Sequence, residues 1–313
     1  MEKLNLEALR QFDEANLPDL DVVVLGALEL FSEIELPTIN VSHCAHPIVL
    51  GSGNAEVTGR ILFRDQDALY EDESSYRAKL DSARAGIENA IIISASGSKH
   101  AVEMARDLKE RGLTVWLYTN NPEAPATEFV DLEHIKVFPR NREPYTYNTS
   151  TYMSMIMGKT GESPEMIHQF IHEHVAPVVP DNLASYDSFY FIIPPHLSGV
   201  REMLLTKFDE LFGPRVSGRV FTFEQTKHAK TVVPSESELF VSFGEENNLF
   251  GKPEQRLHIP LPEQVGPAAM MAIGYWFVGQ IQKQHPPYFK ERIAAYMQEA
   301  TELFGQELKP IVE

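Results

Sequence analysis

The first half of the chain alternates between short continuous apolar runs and segments in which apolar residues recur every three or four positions. The runs are typical of strands buried on both faces of a sheet, and the recurring positions are typical of helices. Four strands are predicted here, at 47–50, 90–94, 114–118 and 135–139. The clearest helical set is Ala101, Met104, Ala105 and Leu108. Strands that alternate with helices through short loops predict a parallel sheet covered by helices.

The same plan begins again in the second half. A buried strand is predicted at 188–193, and the helical set Leu204, Phe208, Leu211 and Phe212 follows it. Further strands are predicted at 220–223, 239–243 and 256–259, and long helices from about 264. We therefore expect an α/β protein with two flavodoxin-like, three-layer αβα domains on parallel sheets, plus helical N- and C-terminal segments. The expected divisions are a lead-in at 1–35, domains at 36–160 and 180–285, and a C-terminal helix and tail at 286–313.

Composition narrows the class of protein. Hydrophobic residues make up 43% of the chain and charged residues 23%, the balance of a globular rather than a disordered protein. Lys and Arg number 27 against 45 Asp and Glu, so the net charge is -18. This argues against a general binder of nucleic acid or anionic membranes, since either needs a basic face. Any attraction for an anion must therefore be local.

Compartment is indicated by two further features. No basic-then-apolar leader opens the sequence, and the early apolar run at 22–28 is too short to span a bilayer. The single cysteine, Cys44, excludes an internal disulfide and fits a reducing cytosol. We interpret Cys44 as a small apolar residue rather than a catalytic thiol. A cytoplasmic protein is expected.

The segment Ser94-Ala95-Ser96-Gly97-Ser98-Lys99 lies between a predicted strand and a predicted helix. A helix N-terminus exposes unpaired N–H groups and partial positive charge, serine hydroxyls add donors, and Gly97 allows close approach of the backbone. The segment is therefore suited to an anion such as phosphate. The alternative is an ordinary helix N-cap, which explains one serine well and three poorly.

Several motifs together resemble the sugar isomerase (SIS) domain family. Ser94-Ala95-Ser96-Gly97, Gly112 and the strand ending at Thr119-Asn120 resemble its Ser-x-Ser-Gly and Thr-Asn pattern, and Gly51-Ser52-Gly53-Asn54 looks like its Gly-x-Gly loop. Residues 143–149 with Tyr152 are similar to the stretch that closes its first domain. The resemblance covers roughly residues 40–310 as a tandem pair, laid out like the bifunctional phosphoglucose/phosphomannose isomerases and the isomerase half of glutamine–fructose-6-phosphate amidotransferase.

The resemblance implies an aldose–ketose isomerase acting on a sugar with a terminal anion, most simply a 6-phosphosugar, through a cis-enediol(ate). It implies no cofactor, and a homodimer with a shared active site at the carboxyl edges of the strands, between the domains. The implied substrate-binding residues are Gly51, Ser52, Gly53, Asn54, Ser94, Ser96, Ser98, Lys99 and Thr149.

Two positions depart from the family pattern. Ala55 stands where the family commonly has Ser, which removes a donor, and Lys99 stands where it commonly has Thr, which adds a positive charge. The anion is therefore a phosphate held differently, or another tetrahedral anion such as a sugar sulfonate. The ordinary alternative for Lys99 is a solvated lysine on the first turn of a helix.

The catalytic base implied by the resemblance is Glu210, in the pattern Lys207-x-x-Glu210 on a second-domain helix. The two side chains lie one turn apart beside the apolar face, and Asp209 is the alternative carboxylate. His228, just after a second-domain strand, resembles the histidine that opens the sugar ring in the partner subunit. Lys309 looks like the C-terminal lysine that related enzymes fold over the sugar. The ordinary interpretation of Glu210, His228 and Lys309 is that each is a surface residue without a catalytic function.

Arg142 follows the last strand of the first domain, where a guanidinium could stabilise the enediolate. Arg140 competes for this function, and a structural pair with Glu143 is the ordinary explanation for Arg142. His168, His172 and His174 have spacing that fits a metal, but no carboxylate or cysteine completes a recognisable motif, so no metal is expected. The 51–53 loop is too short for a dinucleotide fingerprint, so no nicotinamide cofactor is expected.

Two other functions stay open at this point. One is a deglycase that splits a phosphorylated sugar–amine adduct through the same enediol chemistry. The other is a non-catalytic sugar-phosphate sensor, because SIS domains also serve in regulators. Such regulators usually carry a DNA-binding segment, and no basic segment of that kind is present.

Overall fold

The computed structural model describes residues 3–42, 44–82, 86–305 and 307–313. It confirms the α/β class, with two parallel sheets flanked by helices. The chain divides into two compact units. The first unit comprises 34–140 and 150–161, and the second comprises the described residues of 1–33, 141–149 and 162–313. The domain boundaries expected from the sequence stay a prediction, and residues 1 and 2 of the expected lead-in lie outside the described residues.

The helices and strands lie close to the positions that the apolar pattern predicts. The α-helices are α1 (Leu4–Gln11), α2 (Leu20–Phe31), α3 (Asn54–Leu62), α4 (Tyr76–Ser82), α5 (His100–Glu110), α6 (Thr149–Thr160), α7 (Pro164–Phe170), α8 (Arg201–Phe212), α9 (Phe223–Lys227), α10 (Pro267–Gln284) and α11 (Tyr288–Phe304). The strands are β1 (Ile48–Leu50), β2 (Leu69–Glu71), β3 (Asn89–Ile93), β4 (Thr114–Thr119), β5 (Ile135–Val137), β6 (Glu143–Pro144), β7 (Ser188–Ile192), β8 (Ser217–Phe221), β9 (Glu238–Phe243), β10 (Arg256–Ile259) and β11 (Ile311–Val312).

The sheet of the first unit has five parallel strands in the order β2-β1-β3-β4-β5. Alternate residues of a strand point to the same face, so each strand contributes every second side chain to one core. The predicted stripe of α5 covers that face, which confirms the helix assigned from spacing. The buried set is Ile48, Leu50, Ala90, Ile92, Val115 and Leu117 from the sheet with Ala101, Met104, Ala105 and Leu108 from α5.

The sheet of the second unit has four parallel strands in the order β10-β9-β7-β8. Read from its β8 edge, this order repeats β2-β1-β3-β4 of the first sheet. The second core is aromatic: the Phe208 ring of α8 has its centroid 6.0 Å from that of Phe189 and 5.3 Å from that of Phe191. Phe277 of α10 closes the same face at 5.7 Å from Phe191.

A short antiparallel pair joins distant parts of the second unit. Strand β11 pairs with β6, so that Ile311 faces Pro144 and Val312 faces Glu143. The N–H of Tyr145 also donates to the carbonyl of Pro310 at 2.8 Å. Residues 310–312, which we call the C-terminal strap, therefore fix the backbone of 143–145.

Helices α2 and α10 pack together inside the second unit. Ten of the twelve residues of α2 are buried. The backbone N–H of Leu20 donates to Oε1 of Gln282 at 2.9 Å across a separation of 262 residues. Asp21, also buried, forms an ion pair with Lys283. None of the described helices combines the length and the apolar character needed to cross a membrane.

Candidate active site

The loop after β3 carries three of the predicted anion-binding serines. Ser94 Oγ accepts from the N–H of Gly97 at 3.2 Å, and the hydroxyls of Ser96 and Ser98 lie 2.8 Å apart. Gly97 has φ +59°, and a Cβ there would lie 2.4 Å from the Cβ of Ala124. The turn therefore needs glycine. Ser96 is exposed and Ser98 is partly exposed, so their hydroxyls are available as donors to a ligand.

The end of β4 holds this loop in place. The hydroxyl of Thr119 and the N–H of Asn120 both donate to the carbonyl of Ala95 at 3.0 Å. The side-chain amide of Asn121 donates to the carbonyl of Ser96 at 3.1 Å. These contacts give the Thr-Asn motif a physical function, because they fix the backbone that presents the serines.

The loop after β1 places Gly51, Ser52, Gly53 and Asn54 beside the same crevice. In a sheet ordered 2-1-3-4-5, the connections from β1 and β3 leave in opposite directions, and open α/β sheets bind ligands where this occurs. The hydroxyl of Ser52 donates to the carboxylate of Glu73. Sequence reasoning missed Glu73, whose negative charge competes with an incoming anion for the Ser52 hydroxyl.

Lys99 and Gly53 hold equivalent positions in the two loops. Each is the N-cap of the following helix, with φ +51° and ψ −119° for Lys99 and φ +56° and ψ −123° for Gly53. Only glycine adopts this conformation without strain, so Lys99 carries a cost of about 1–3 kcal/mol. Its side chain is exposed. Strain of this kind at a solvated surface lysine has no structural benefit, which favours the predicted function in anion binding.

The second unit holds the predicted base. Lys207 is fully buried, and its ammonium group pairs with the carboxylate of Glu210, whose side chain is 22% exposed. Burial raises the pKa of Glu210, although the charge and hydrogen bond of Lys207 act to lower it, and Asp209 raises it further. A carboxylate that is mostly buried, still open to solvent on one side and raised in pKa has the properties of a group that transfers protons.

A strained residue, Thr146, supports this pair. The carbonyl of Thr146 accepts a hydrogen bond from Nζ of Lys207 at 2.7 Å. Its φ is +74°, in the left-handed region that β-branched residues rarely adopt. The neighbouring Tyr145 is bound to the C-terminal strap. Backbone at 143–146 thus links the chain's C-terminal strand to the buried lysine.

Glu210 borders a cleft of about 710 Å³ in the second unit. The walls come from the C-terminal half of α8, the N-terminal half of α11 and Thr146. Six of the thirteen lining residues are aromatic or aliphatic, three are acids and two are arginines. The lining residues are Thr146, Asp209, Glu210, Leu211, Phe212, Gly213, Arg215, Tyr288, Phe289, Glu291, Arg292, Ile293 and Tyr296.

Glu210 does not lie at the carboxyl edge of its sheet, where we expected the site. Helix α8 returns the chain from the end of β7 to the start of β8, and these strands are parallel. Glu210 is two residues from the end of α8, so it lies toward the amino edge. His228 caps the C-terminus of α9, just after β8, at the opposite edge and in an exposed position. The structure therefore does not bring Glu210 and His228 of one chain together.

The carboxyl edge of the second sheet has a different composition from the first. Its crevice lies between β7 and β9 and holds a cleft of about 340 Å³. Prolines follow β7 and acids follow β9, and Glu224 is neutralised by Lys227 at 2.7 Å. The lining residues are Pro195, Phe223, Glu224, Lys227, Glu245, Glu246, Asn248 and Leu249.

Lys309 lies next to the C-terminal strap. It is 69% exposed, and its Nζ is 3.9 Å from Oε1 of Glu307. Because the strap fixes Tyr145, which precedes Thr146, the strap brings the backbone near Lys309 to the same loop that supports Lys207.

Arg142 is engaged in contacts that sequence alone did not indicate. Its guanidinium donates to the carbonyl of Phe12, lies 4.3 Å from the centre of the Phe12 ring, and pairs with Glu313 at 3.0 Å. Thr149 is fully buried, and its N–H donates to Oε2 of Glu143 at 2.8 Å. These contacts give both residues a structural function within the second unit.

The histidines at 168–174 have other partners. Nε2 of His168 lies 3.5 Å from Oε1 of the fully buried Glu29, which also accepts from Asn5 at 2.7 Å. Burial acts to raise the pKa of Glu29, but these hydrogen bonds lower it overall. The rings of His168 and His172 lie 4.7 Å apart. Within the described ranges, no group of three or more His, Cys, Asp or Glu side chains is placed to hold a metal ion.

Cys44 is buried, and burial raises the pKa of its thiol. A thiol that resists ionisation is a poor nucleophile. Cys44 therefore belongs to the packed interior of the first unit, as interpreted from the sequence.

Comparison with known proteins supports the fold. Neither a family model nor a curated protein sequence matches the chain. Its structure is similar to glucosamine-6-phosphate deaminase from Thermotoga maritima, with TM-score 0.58 and 13% identity over 86% of this chain and 95% of that one. Tagatose-6-phosphate ketose/aldose isomerase from Escherichia coli gives TM-score 0.55 and 11% identity, covering 91% and 90%.

A third similar structure is the C-terminal domain of glucosamine-fructose-6-phosphate aminotransferase from Francisella tularensis. It has TM-score 0.52 and 10% identity, and covers 84% of this chain and 92% of that domain. Identities of this size show the fold alone. They confirm the α/β fold that the resemblance implies.

Proposed function

We propose that the chain is an aldose–ketose isomerase that acts on a sugar with a terminal anion, most simply a 6-phosphosugar. The observation that carries the proposal is the buried Lys207–Glu210 pair at the border of a 710 Å³ cleft. The similar solved structures include an isomerase of tagatose 6-phosphate, which supports the same chemistry.

Glu210 is the proposed base. Its ionised carboxylate removes the proton from C2 of the open-chain aldose and returns a proton to C1, while a second proton passes between O1 and O2. The enediolate that forms between these steps carries negative charge, so a cation close by stabilises it. Lys207 acts to lower the pKa of Glu210, which favours the ionised carboxylate, and the Thr146 carbonyl accepts a hydrogen bond from Lys207.

The terminal anion is proposed to bind the loops after β1 and β3. Donors come from Ser94, Ser96 and Ser98, from backbone N–H groups at the helix N-terminus, and from Lys99. Gly51, Ser52, Gly53 and Asn54 form the other wall. Glu73 leaves Ser52 the least available of these donors.

Ring opening is assigned to His228 and Lys309. Because Glu210 and His228 of one chain lie toward opposite edges of the second sheet, a second copy would supply His228, and the working unit would be a homodimer. For Arg142 to hold the enediolate, its contacts with Phe12 and Glu313 would have to give way.

The test is a panel of 6-phospho and 6-sulfo aldoses and ketoses, with proton exchange at C2 followed in deuterated water. We expect one aldose–ketose pair to interconvert, and the aldose of that pair to exchange its C2 proton. Conversion of a 6-sulfo sugar in preference to its phosphate would identify sulfonate as the anion. Failure of both conversion and exchange across the panel would overturn the proposal.

The cleft favours one alternative reaction. At about 710 Å³ the cleft has the volume of a pocket for a drug-sized ligand, and its wall carries four aromatic side chains together with Arg215 and Arg292. A deglycase acting on a phosphorylated sugar–amine adduct would use that space for the amine part. It would consume one water and release one free amine for each aldose formed. Detection of amine from a 6-phosphorylated ketosamine, with no conversion of plain sugar phosphates, would select this alternative.

A further inference from the structure

Thr146 combines two unfavourable features in one residue. Its φ of +74° lies in the left-handed region, which is a genuine outlier for a β-branched side chain. Its Oγ1 is buried, and no described residue offers it a hydrogen bond. Buried hydroxyls are nearly always bonded, and strained residues cluster where ligands bind.

The backbone conformation alone does not explain the choice of threonine. The left-handed turn directs the Thr146 carbonyl to Lys207, and glycine or asparagine would do this with less strain. The chain has Asn at the next such position, Asn148, where φ is +46°. A side-chain function is therefore needed to account for Thr146.

Stability does not explain the choice of threonine either. Valine has the same shape as threonine and would bury a methyl group in place of a hydroxyl that the protein leaves unbonded. Thr146 lies on the wall of the cleft that Glu210 borders. A partner for its hydroxyl is thus expected among the groups that enter this cleft.

We propose that Thr146 is a substrate-binding residue whose hydroxyl forms a hydrogen bond with a sugar hydroxyl close to the carbons on which Glu210 acts. The inference rests on the proposed function, since it takes the occupant of the cleft to be a sugar. A threonine hydroxyl can both donate and accept, as a sugar hydroxyl can. Threonine has three staggered χ1 rotamers, so the proposal requires that the hydroxyl reach the cleft by rotation to another of them when the sugar binds.

The test compares Thr146→Val and Thr146→Ser with the wild type, using the 6-phosphosugar that the wild type converts best. Thr146→Val keeps the shape and loses the hydroxyl, so kcat/KM should fall about tenfold, the effect of one neutral hydrogen bond. Thr146→Ser keeps the hydroxyl and should retain kcat/KM within about threefold of the wild type. The Tm of Thr146→Val should equal or exceed that of the wild type, because the change removes an unbonded buried hydroxyl.

Monodeoxy analogues of the same sugar phosphate identify the hydroxyl that is bound. For one analogue, wild type and Thr146→Val should have equal kcat/KM, because the bond is already absent. Wild-type activity in Thr146→Val, or equal losses in Thr146→Val and Thr146→Ser, would overturn the inference while leaving the isomerase intact. Lack of turnover by the wild type on every sugar would instead overturn the proposed function, and this inference with it.

Discussion

The carboxyl edges of the two sheets have the same strand order and opposite chemistry. In the first unit, the crevice between β1 and β3 is bordered by glycines, serines and Lys99. In the second unit, the equivalent crevice between β7 and β9 is bordered by Pro195, Glu245 and Glu246. Each edge offers a place for a ligand, but their charges differ. The second carries three acids, Glu224, Glu245 and Glu246, with Lys227, whereas the first carries serine donors and Lys99 beside Glu73.

The difference shows that strand order provides the position of a crevice and loop residues determine what it binds. In the second unit the predicted base, Glu210, lies near the C-terminal end of α8, where it pairs with Lys207. The predicted anion-binding residues thus belong to the first unit, and the predicted base belongs to the second.

The largest effect is expected from replacing the base. Glu210→Gln keeps an acceptor for Lys207 but cannot take a proton, so kcat should fall by about 10²–10⁴-fold, with sugar-phosphate binding retained. The matched control is Glu245→Gln, an acid at the carboxyl edge of the same unit, which should leave kcat unchanged. Steady-state kinetics and C2 proton exchange measure both. Full turnover by Glu210→Gln would remove this carboxylate from the mechanism.

The next largest effect, on sugar-phosphate binding, is expected when the carboxyl edge of the first sheet is given an acid like those at the carboxyl edge of the second. Ser98→Glu places a negative charge beside the proposed anion site and should weaken phosphate-sugar binding at least about 100-fold. Ser98 directly precedes the N-cap of α5, where a negative charge interacts favourably with the helix dipole, so Tm should change little. Titration calorimetry with the sugar phosphate measures the loss. Unchanged affinity would show that the anion binds elsewhere, and Glu245→Ser should create no site.

A smaller effect is expected from the buried lysine. In Lys207→Met, Glu210 loses the charge that lowers its pKa, so the acid limb of the kcat/KM profile should move to higher pH. The folded protein then binds a proton that the unfolded chain releases, so its stability should decrease as pH rises through the new pKa. The loss of unfolding free energy should reach about 1–3 kcal/mol at pH 8 and shrink toward pH 5. An unmoved acid limb would contradict the coupling.

The smallest effect concerns the strained N-cap. Lys99→Gly removes both the charge and the strain, so KM should rise about fivefold to tenfold while Tm stays within a few degrees. Gly53→Ala applies the converse change to the equivalent position, where a Cβ meets no neighbour within 4 Å. It should cost about 1–2 kcal/mol through backbone strain alone. Denaturant unfolding and kinetics on both variants separate charge from conformation.

The apolar pattern predicted the central strands well, because buried strands leave a local signal. All of the predicted strands are present, with ends shifted by a few residues, as at 220–223, where β8 begins at Ser217. Strand β2 was missed because Leu69–Glu71 is a short, half-exposed edge strand without an apolar run. The pair β6–β11 was missed because its two residues per strand meet across most of the chain.

The candidate site could be predicted only where it depends on local sequence. The Ser94–Lys99 loop is such a case, since strand, turn and helix follow one another directly. The partners of Arg142 could not be predicted, because Phe12 and Glu313 lie far from it in sequence. The position of Glu210 toward the amino edge follows from the direction of α8, which the helical spacing does not reveal.

The second unit is assembled from three separate stretches of chain, and this has a consequence for its synthesis. Helix α2 packs on α10, and the bond from Leu20 to Gln282 spans 262 residues. At about 5–20 residues per second, a ribosome needs on the order of 10–50 s to make the partner that α2 requires. All residues of the first unit are synthesised during this interval, because they lie between α2 and α10 in the sequence. Helix α2 can pack on α1 as soon as both are made, as in the bond from the N–H of Leu6 to Glu29, but it lacks α10 through most of translation. The part of its apolar surface that α10 covers is therefore open to chaperones until then.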